Sequence, residues 1–134
     1  MPATMQSAPA SKGRLWAGRA LSGLAVLFML ADAVMHILQP RPVIDAFNRL
    51  GYPISLAVPL GVIVIVCVAL YTIPRTSFLG ALFLTGYLGG AVSSHVRIGD
   101  VPFNIAFPFI VATMIWAGLF LRDRRLAALF ATRS

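Results

Sequence analysis

From Leu50 to Pro74 the chain carries no charged side chain, and within that window Ile54 to Ile73 is an almost unbroken apolar run. A helix needs roughly 20 apolar residues to cross about 30 Å of hydrocarbon, because each residue adds only about 1.5 Å. Three more segments meet that requirement, at about 15–38, 77–96 and 103–121. None alternates polar and apolar residues, as a strand lining a barrel lumen must. The sequence therefore predicts an all-α membrane protein, a four-transmembrane-helix antiparallel bundle. Composition closes the soluble alternative: 59% of the residues are hydrophobic, and eleven basic and four acidic side chains cannot cover the wet face of a soluble bundle. Hydrophobicity at this level also excludes disorder.

The connections fit the same plan. Residues 1–13 are small and polar and read as a disordered N-terminal tail, 14–126 as the membrane domain, and 127–134 as a cytoplasmic C-terminal tail. Pro40, Pro42, Gly51 and Pro53 punctuate the first connection, where Val43, Phe47 and Leu50 fall at helical spacing. A short helix lying on the membrane surface is expected there, between the first and second spans. Pro74, Gly99 and Pro102 mark two very short connections, so the second and third spans, and the third and fourth, are expected to be antiparallel neighbours. Pro59 and Pro108 lie inside spans, where a bilayer tolerates the kinks they cause.

The net charge of +7 does not point to nucleic acid, since the basic residues flank apolar runs instead of gathering on one soluble face. The lipid bilayer is the partner they imply. With both termini on one side, that side holds Lys12, Arg14, Arg19, Arg75, Arg122, Arg124, Arg125 and Arg133, against Arg41, Arg49 and Arg97 on the other. The positive-inside rule then places both termini in the cytoplasm. A competing reading takes Arg14, Arg19 and the apolar stretch ending at Ala31-Asp32-Ala33 as a cleaved signal peptide. That would leave three spans and set the basic excess around an odd number of helices. Cys67, the one cysteine, sits in an apolar run and reads as a packing residue, so no disulfide and no thiolate metal cage is expected.

Ionisable groups within spans are functional candidates by default. Asp32 and His36 lie four apart on one face of the first helix, continuous with Met29, Ala25, Ser22 and Gly18. This small and polar stripe is expected to face the bundle interior. On the third span, Gly86, Gly90, Ser93 and Arg97 share a narrow sector, which predicts close helix packing and an inward Arg97. His95 falls on the opposite sector, with Leu84 and Leu88, and is expected to meet lipid, a partner subunit or solvent; Asp100 follows in the turn. Asp32 lies roughly 9 Å of helix rise below the end of its span, so an Asp32–Arg97 pair is expected, with His36 above it. Two readings of that cluster stay open: an ion pair that fixes helix register, and a proton-handling or ligand-binding pocket with His36 as the titrating group. No catalytic motif and no metal-binding signature is present. Haem ligation by His36 and His95 is formally allowed, but their opposed faces argue against it.

The run Leu50-Gly51-Tyr52-Pro53, Leu60-Gly61, Tyr71-Thr-Ile-Pro74-Arg75-Thr76, Leu79-Gly80-Ala81, Thr85-Gly-Tyr-Leu-Gly-Gly-Ala-Val92 and His95-Val-Arg97-Ile-Gly99 resembles the DoxX-like family of small bacterial four-helix membrane proteins. The likeness covers about residues 20–121. Asp32-Ala-Val-Met-His36 stands where the family often has an acidic residue followed four later by Lys, and aliphatic residues around Val64 stand where it often has a Glu. The resemblance implies a multi-pass protein of the bacterial cytoplasmic (inner) membrane, and family members are linked to membrane oxidoreductase complexes. The expected function is thus a membrane subunit or binding module with a polar pocket on the outer side and no cofactor of its own. One alternative is the membrane component of a quinone-linked oxidoreductase, with a redox partner protein and a quinone headgroup near Asp32, His36 and Arg97. Another is a small-molecule transporter assembled as a homo-oligomer.

Overall fold

The computed structural model describes residues 12–131, so all but the last two positions of the expected N-terminal tail lie outside the described residues, as do the last three of the expected C-terminal tail. The helices in chain order are α1 (Lys12–Leu38), α2 (Arg41–Leu50), α3 (Ala57–Thr72), α4 (Ser77–Arg97), α5 (Pro102–Arg122) and α6 (Arg124–Ala131), with a 3-10 turn at Ile54–Leu56 leading into α3. The described residues are 88% helical, and four of their helices are long and apolar enough to cross a membrane. α1 packs on α3 and α5, and α4 packs on the same two, so the four long helices close a ring with α1 and α4 on one diagonal and α3 and α5 on the other. Their outward surface is apolar: Leu27, Leu38, Phe83 and Ile110 are all at least half exposed. Such a belt suits hydrocarbon, not water.

Between lipid-soaked helices, association rests on close packing, which small residues allow. The buried face of α1 is Gly18, Ser22, Ala25, Met29 and Ala33, the stripe expected from the sequence. Gly18 and Gly118 bring α1 and α5 into backbone contact: a Cβ on Gly118 would stand 2.4 Å from Ser22 Oγ, and one on Gly18 2.9 Å from the Arg122 amide nitrogen. At this terminal end of the bundle Tyr71 is fully buried. Its hydroxyl donates to the Ile115 carbonyl at 2.6 Å and accepts from Ser22 Oγ at 3.0 Å, so one side chain of α3 ties its diagonal partner α5 and its neighbour α1. Arg122 donates to the Tyr71 carbonyl at 3.0 Å and lies over the Tyr71 ring.

The packing assigned to Gly86, Gly90 and Ser93 is corrected. The buried face of α4 is Ser77, Gly80, Ala81, Leu84, Leu88 and Ser94, and Gly86, Gly90 and Ser93 are exposed. A Cβ on Gly86 or Gly90 would meet nothing within 4 Å. The leucines fill the volume at the centre of the ring, and the glycine sector is turned away from it. His95, in register with Leu84 and Leu88, is brought inward, and Arg97 stays at the exposed rim.

α2 is the expected amphipathic helix, with Phe47 buried beneath it. It is reached through Gln39, a non-glycine residue with φ 53°. It ends at Gly51, whose φ of 80° lets the Tyr52 amide bond back to the Phe47 carbonyl at 2.9 Å and the Gly51 amide to the Asn48 carbonyl at 3.1 Å. This paired closure needs a left-handed residue, which glycine adopts without steric cost. Beyond Arg122 the chain turns into α6, with Leu126 buried against the core, so the expected boundary between membrane domain and C-terminal tail at 126/127 falls inside a helix.

Candidate binding cavity

The ring is tight at its terminal end and hollow at the other. A cavity of about 610 Å³ opens beneath α2, lined by all four long helices and by α2 itself. On α4 its wall runs from Gly86 to His95, and on α1 from Phe28 to His36, which is roughly 13 Å of depth at 1.5 Å per residue. Most of that wall is apolar, including Met29, Leu60, Leu88, Phe107 and Val111. α2 roofs it with Val43, Ala46, Phe47 and Leu50. Phe28, Gly86, Gly90 and Phe103 line the cavity and are also exposed, so it opens at the side of the bundle. Gly86 precedes the end of its helix at Arg97 by roughly 16 Å of rise. That is near the middle of a hydrocarbon core about 30 Å thick. The volume falls within the range of small-molecule sites, about 300–1,000 Å³.

Two polar groups break the apolar lining. The first joins the diagonal helices α1 and α4. The Tyr87 hydroxyl donates to Asp32 Oδ2 at 3.0 Å and stands 3.5 Å from His36 Nε2. His36 Nδ1 lies 2.7 Å from the Asp32 carbonyl, an acceptor only, so the ring's Nδ1 carries a proton and is held by its own helix. The Phe47 ring closes over His36 at 5.4 Å between centroids.

The second group sits where α4 passes into α5. Gly99, at φ 63°, turns the chain so that the Asp100 amide bonds to the His95 carbonyl at 3.0 Å, and the Asp100 side chain falls back on His95. His95 Nδ1 donates to Asp100 Oδ2 at 2.7 Å, Asn104 Nδ2 to the same oxygen at 3.0 Å, and the Val101 amide to Oδ1 at 2.8 Å. Arg49 of α2 reaches Oδ1 at 3.3 Å, and the carboxylate is only 4% exposed. The His95 hydrogen bond, then that of Asn104, holds the Asp100 carboxyl at about 2, well below its ordinary value. Tyr52 and Ser94, 2.7 Å apart, form a further tie across the roof.

The expected Asp32–Arg97 pair is not formed. Arg97 donates to the Leu50 carbonyl at the exposed end of α2, because the sector it shares with the glycines faces outward. The structure brings Asp32, His36 and His95 to one cavity, with Gly86 and Gly90 at its edge, and leaves Arg97 and Ser93 outside it. Asp100 stands behind His95. Sequence reasoning missed Tyr87, Tyr52 and Asn104. The available signal was Tyr87 itself, a tyrosine set between Gly86 and Gly89 within a span.

Residues 20–118 match the sequence profile of the DoxX-like family, so the chain belongs to that family. No curated protein and no solved structure matches it.

Proposed function

We propose that this DoxX-like membrane protein is a binding module that takes an amphipathic molecule from the surrounding bilayer into the cavity beneath α2. The observation that carries this reading is a hydrogen-bonded carboxylate, imidazole and phenol on the wall of a mostly apolar chamber open at bilayer depth. Pockets of this kind bury an apolar body and fix its orientation through a few polar groups. The basic residues at the terminal end support an orientation with both termini in the cytoplasm and the cavity toward the outer face of a bacterial inner membrane. Lipid is the partner this reading requires.

The test is native mass spectrometry of the protein in mild detergent, beside a Gly90→Phe variant whose added ring fills the cavity mouth. A bound amphiphile of low mass is expected on the wild type and absent from the variant. Equal small-molecule content in both would overturn the reading.

A second reading, the membrane component of a quinone-linked oxidoreductase, draws on the same cluster, since the Tyr87–Asp32–His36 chain of hydrogen bonds is built to relay a proton. It requires co-purification of a quinone and of a redox partner protein. Transport through the bundle is not supported, because the Gly18–Gly118 crossing and Tyr71 fill the terminal end.

A further inference from the structure

Resting on the cavity as a binding site, we infer that its occupant is a long-chain primary amine, held by a protonated ammonium head at Asp32, His36 and Tyr87. The first argument is charge. Asp32 is the one acidic residue lining the cavity, and no Lys or Arg lines it among the described residues. The nearby cations are committed elsewhere: Arg97 to the Leu50 carbonyl, and Arg49 to Asp100. Asp100 is neutralised in turn by Arg49 and hydrogen-bonded by His95, Asn104 and the Val101 amide, so it draws no cation into the cavity. Among the described residues Asp32 has no Lys or Arg partner; the Tyr87 hydroxyl donates to it at 3.0 Å, and the one basic side chain beside it is His36, with its ring at 3.6 Å. A carboxylate on an apolar wall is expensive unless a positive charge comes to it, and with no Lys or Arg on that wall a cationic ligand can supply it.

The second argument is the count of donors and acceptors. The Nδ1 proton of His36 is spent on the Asp32 carbonyl, and the Tyr87 hydroxyl proton on Asp32 Oδ2. What the carboxylate and the phenol still offer toward the cavity is acceptor: Asp32 Oδ1, which takes no hydrogen bond from the described residues, and the Tyr87 oxygen. Neither Asp32 nor Tyr87 has a proton left to give a carbonyl or carboxylate head. A primary ammonium brings three N–H donors and the compensating charge, and its alkyl chain matches the apolar wall below.

The test uses the full chain in phosphatidylcholine nanodiscs with photoactivatable probes of one chain length: a primary alkylamine, its trimethylammonium analogue, an alcohol, a carboxylate, and an aminophospholipid. Labelled peptides are read by mass spectrometry. The amine is expected to label the Phe28–Met29 and Leu88 walls at least tenfold more than the alcohol or carboxylate. It should also exceed the trimethylammonium probe, which has the charge without the donors. Asp32→Asn is expected to reduce amine labelling at least tenfold, and by a larger factor than it changes alcohol labelling; should that variant fail to fold, the amine-to-trimethylammonium ratio on the wild type carries the test. Labelling by the aminophospholipid but not the free amine supports the ammonium contact and assigns its source to the bilayer's own lipids. Equal labelling by every head, or no effect of Asp32→Asn, overturns the amine while the binding of an amphiphile stands. No labelling of the walls by any probe overturns the cavity as a site.

Discussion

The Tyr87 hydroxyl stands 3.0 Å from the Asp32 carboxylate and joins α4 to α1 across the diagonal of the ring. At the other end Tyr71 spans the second diagonal, from α3 to the Ile115 carbonyl of α5. The two tyrosines differ in their surroundings: Tyr71 is sealed among packed side chains, whereas Tyr87 reaches across the wall of a cavity.

Tyr87→Phe removes the one side-chain donor to the Asp32 carboxylate among the described residues. Loss of a hydrogen bond to a charged group is expected to cost about 1–3 kcal/mol, read as a lower midpoint of thermal unfolding in detergent. An unchanged midpoint, with amine labelling also unchanged, would show that the bond neither holds the helices nor orders the site.

How far the site was legible follows from these same elements. The face of α1 was readable because Gly18, Ser22, Ala25 and Met29 set small and polar residues on one side and bulk on the other. α4 was not, because glycine marks either a place where something stands close or a place where space is kept. Gly80, beside the Tyr71 backbone, is of the first kind, and Gly86 and Gly90 are of the second. Composition and spacing are the same in both cases. Asp100 and His95 meet only because Gly99 reverses the chain between them, a contact that no helical periodicity predicts. Phe47, by contrast, was plain in the amphipathic spacing of α2.

The two kinds of glycine respond oppositely to one methyl group. Gly118→Ala would place its Cβ 2.4 Å from Ser22 Oγ and 2.8 Å from the Ser22 nitrogen, and overpacking of this sort costs about 1–3 kcal/mol. Gly90→Ala meets nothing, and should be neutral or stabilise by up to about 1 kcal/mol through helix propensity. Parallel unfolding curves check the pair, and equal losses at both sites would contradict the packing described.

Gln39 holds a left-handed backbone at the junction of α1 and α2. For an L-residue this costs roughly 1–2 kcal/mol, part of which glycine recovers. Gln39→Gly is expected to raise stability by about 0.5 kcal/mol, and Gln39→Val to lower it, since a branched Cβ suits that region least. Opposite shifts in melting temperature are the expected result; two shifts of the same sign would not fit.

Asp100 sets a pH dependence. Its carboxyl is held at about 2 in the fold, against an ordinary 3.8, by His95 first and then Asn104. A carboxyl lowered by folding contributes stability in full above its unfolded value and loses it as pH falls toward the folded one. The midpoint should therefore fall as pH drops from about 4 to about 2 through this group, and Asp100→Asn should flatten that part of the curve. An identical slope in the variant would count against the cluster.

The roof formed by α2 has a consequence for how occupancy is measured. The Arg97–Leu50, Arg49–Asp100 and Tyr52–Ser94 ties fasten that helix over the chamber, while its flank stays open at Gly86 and Gly90. On the binding proposed above, an occupant would arrive by diffusion in the plane of the membrane. Its binding equilibrium is then set by mole fraction within one leaflet, not by molarity in water. Diluting the aqueous phase would leave the protein filled, and diluting the lipid would empty it.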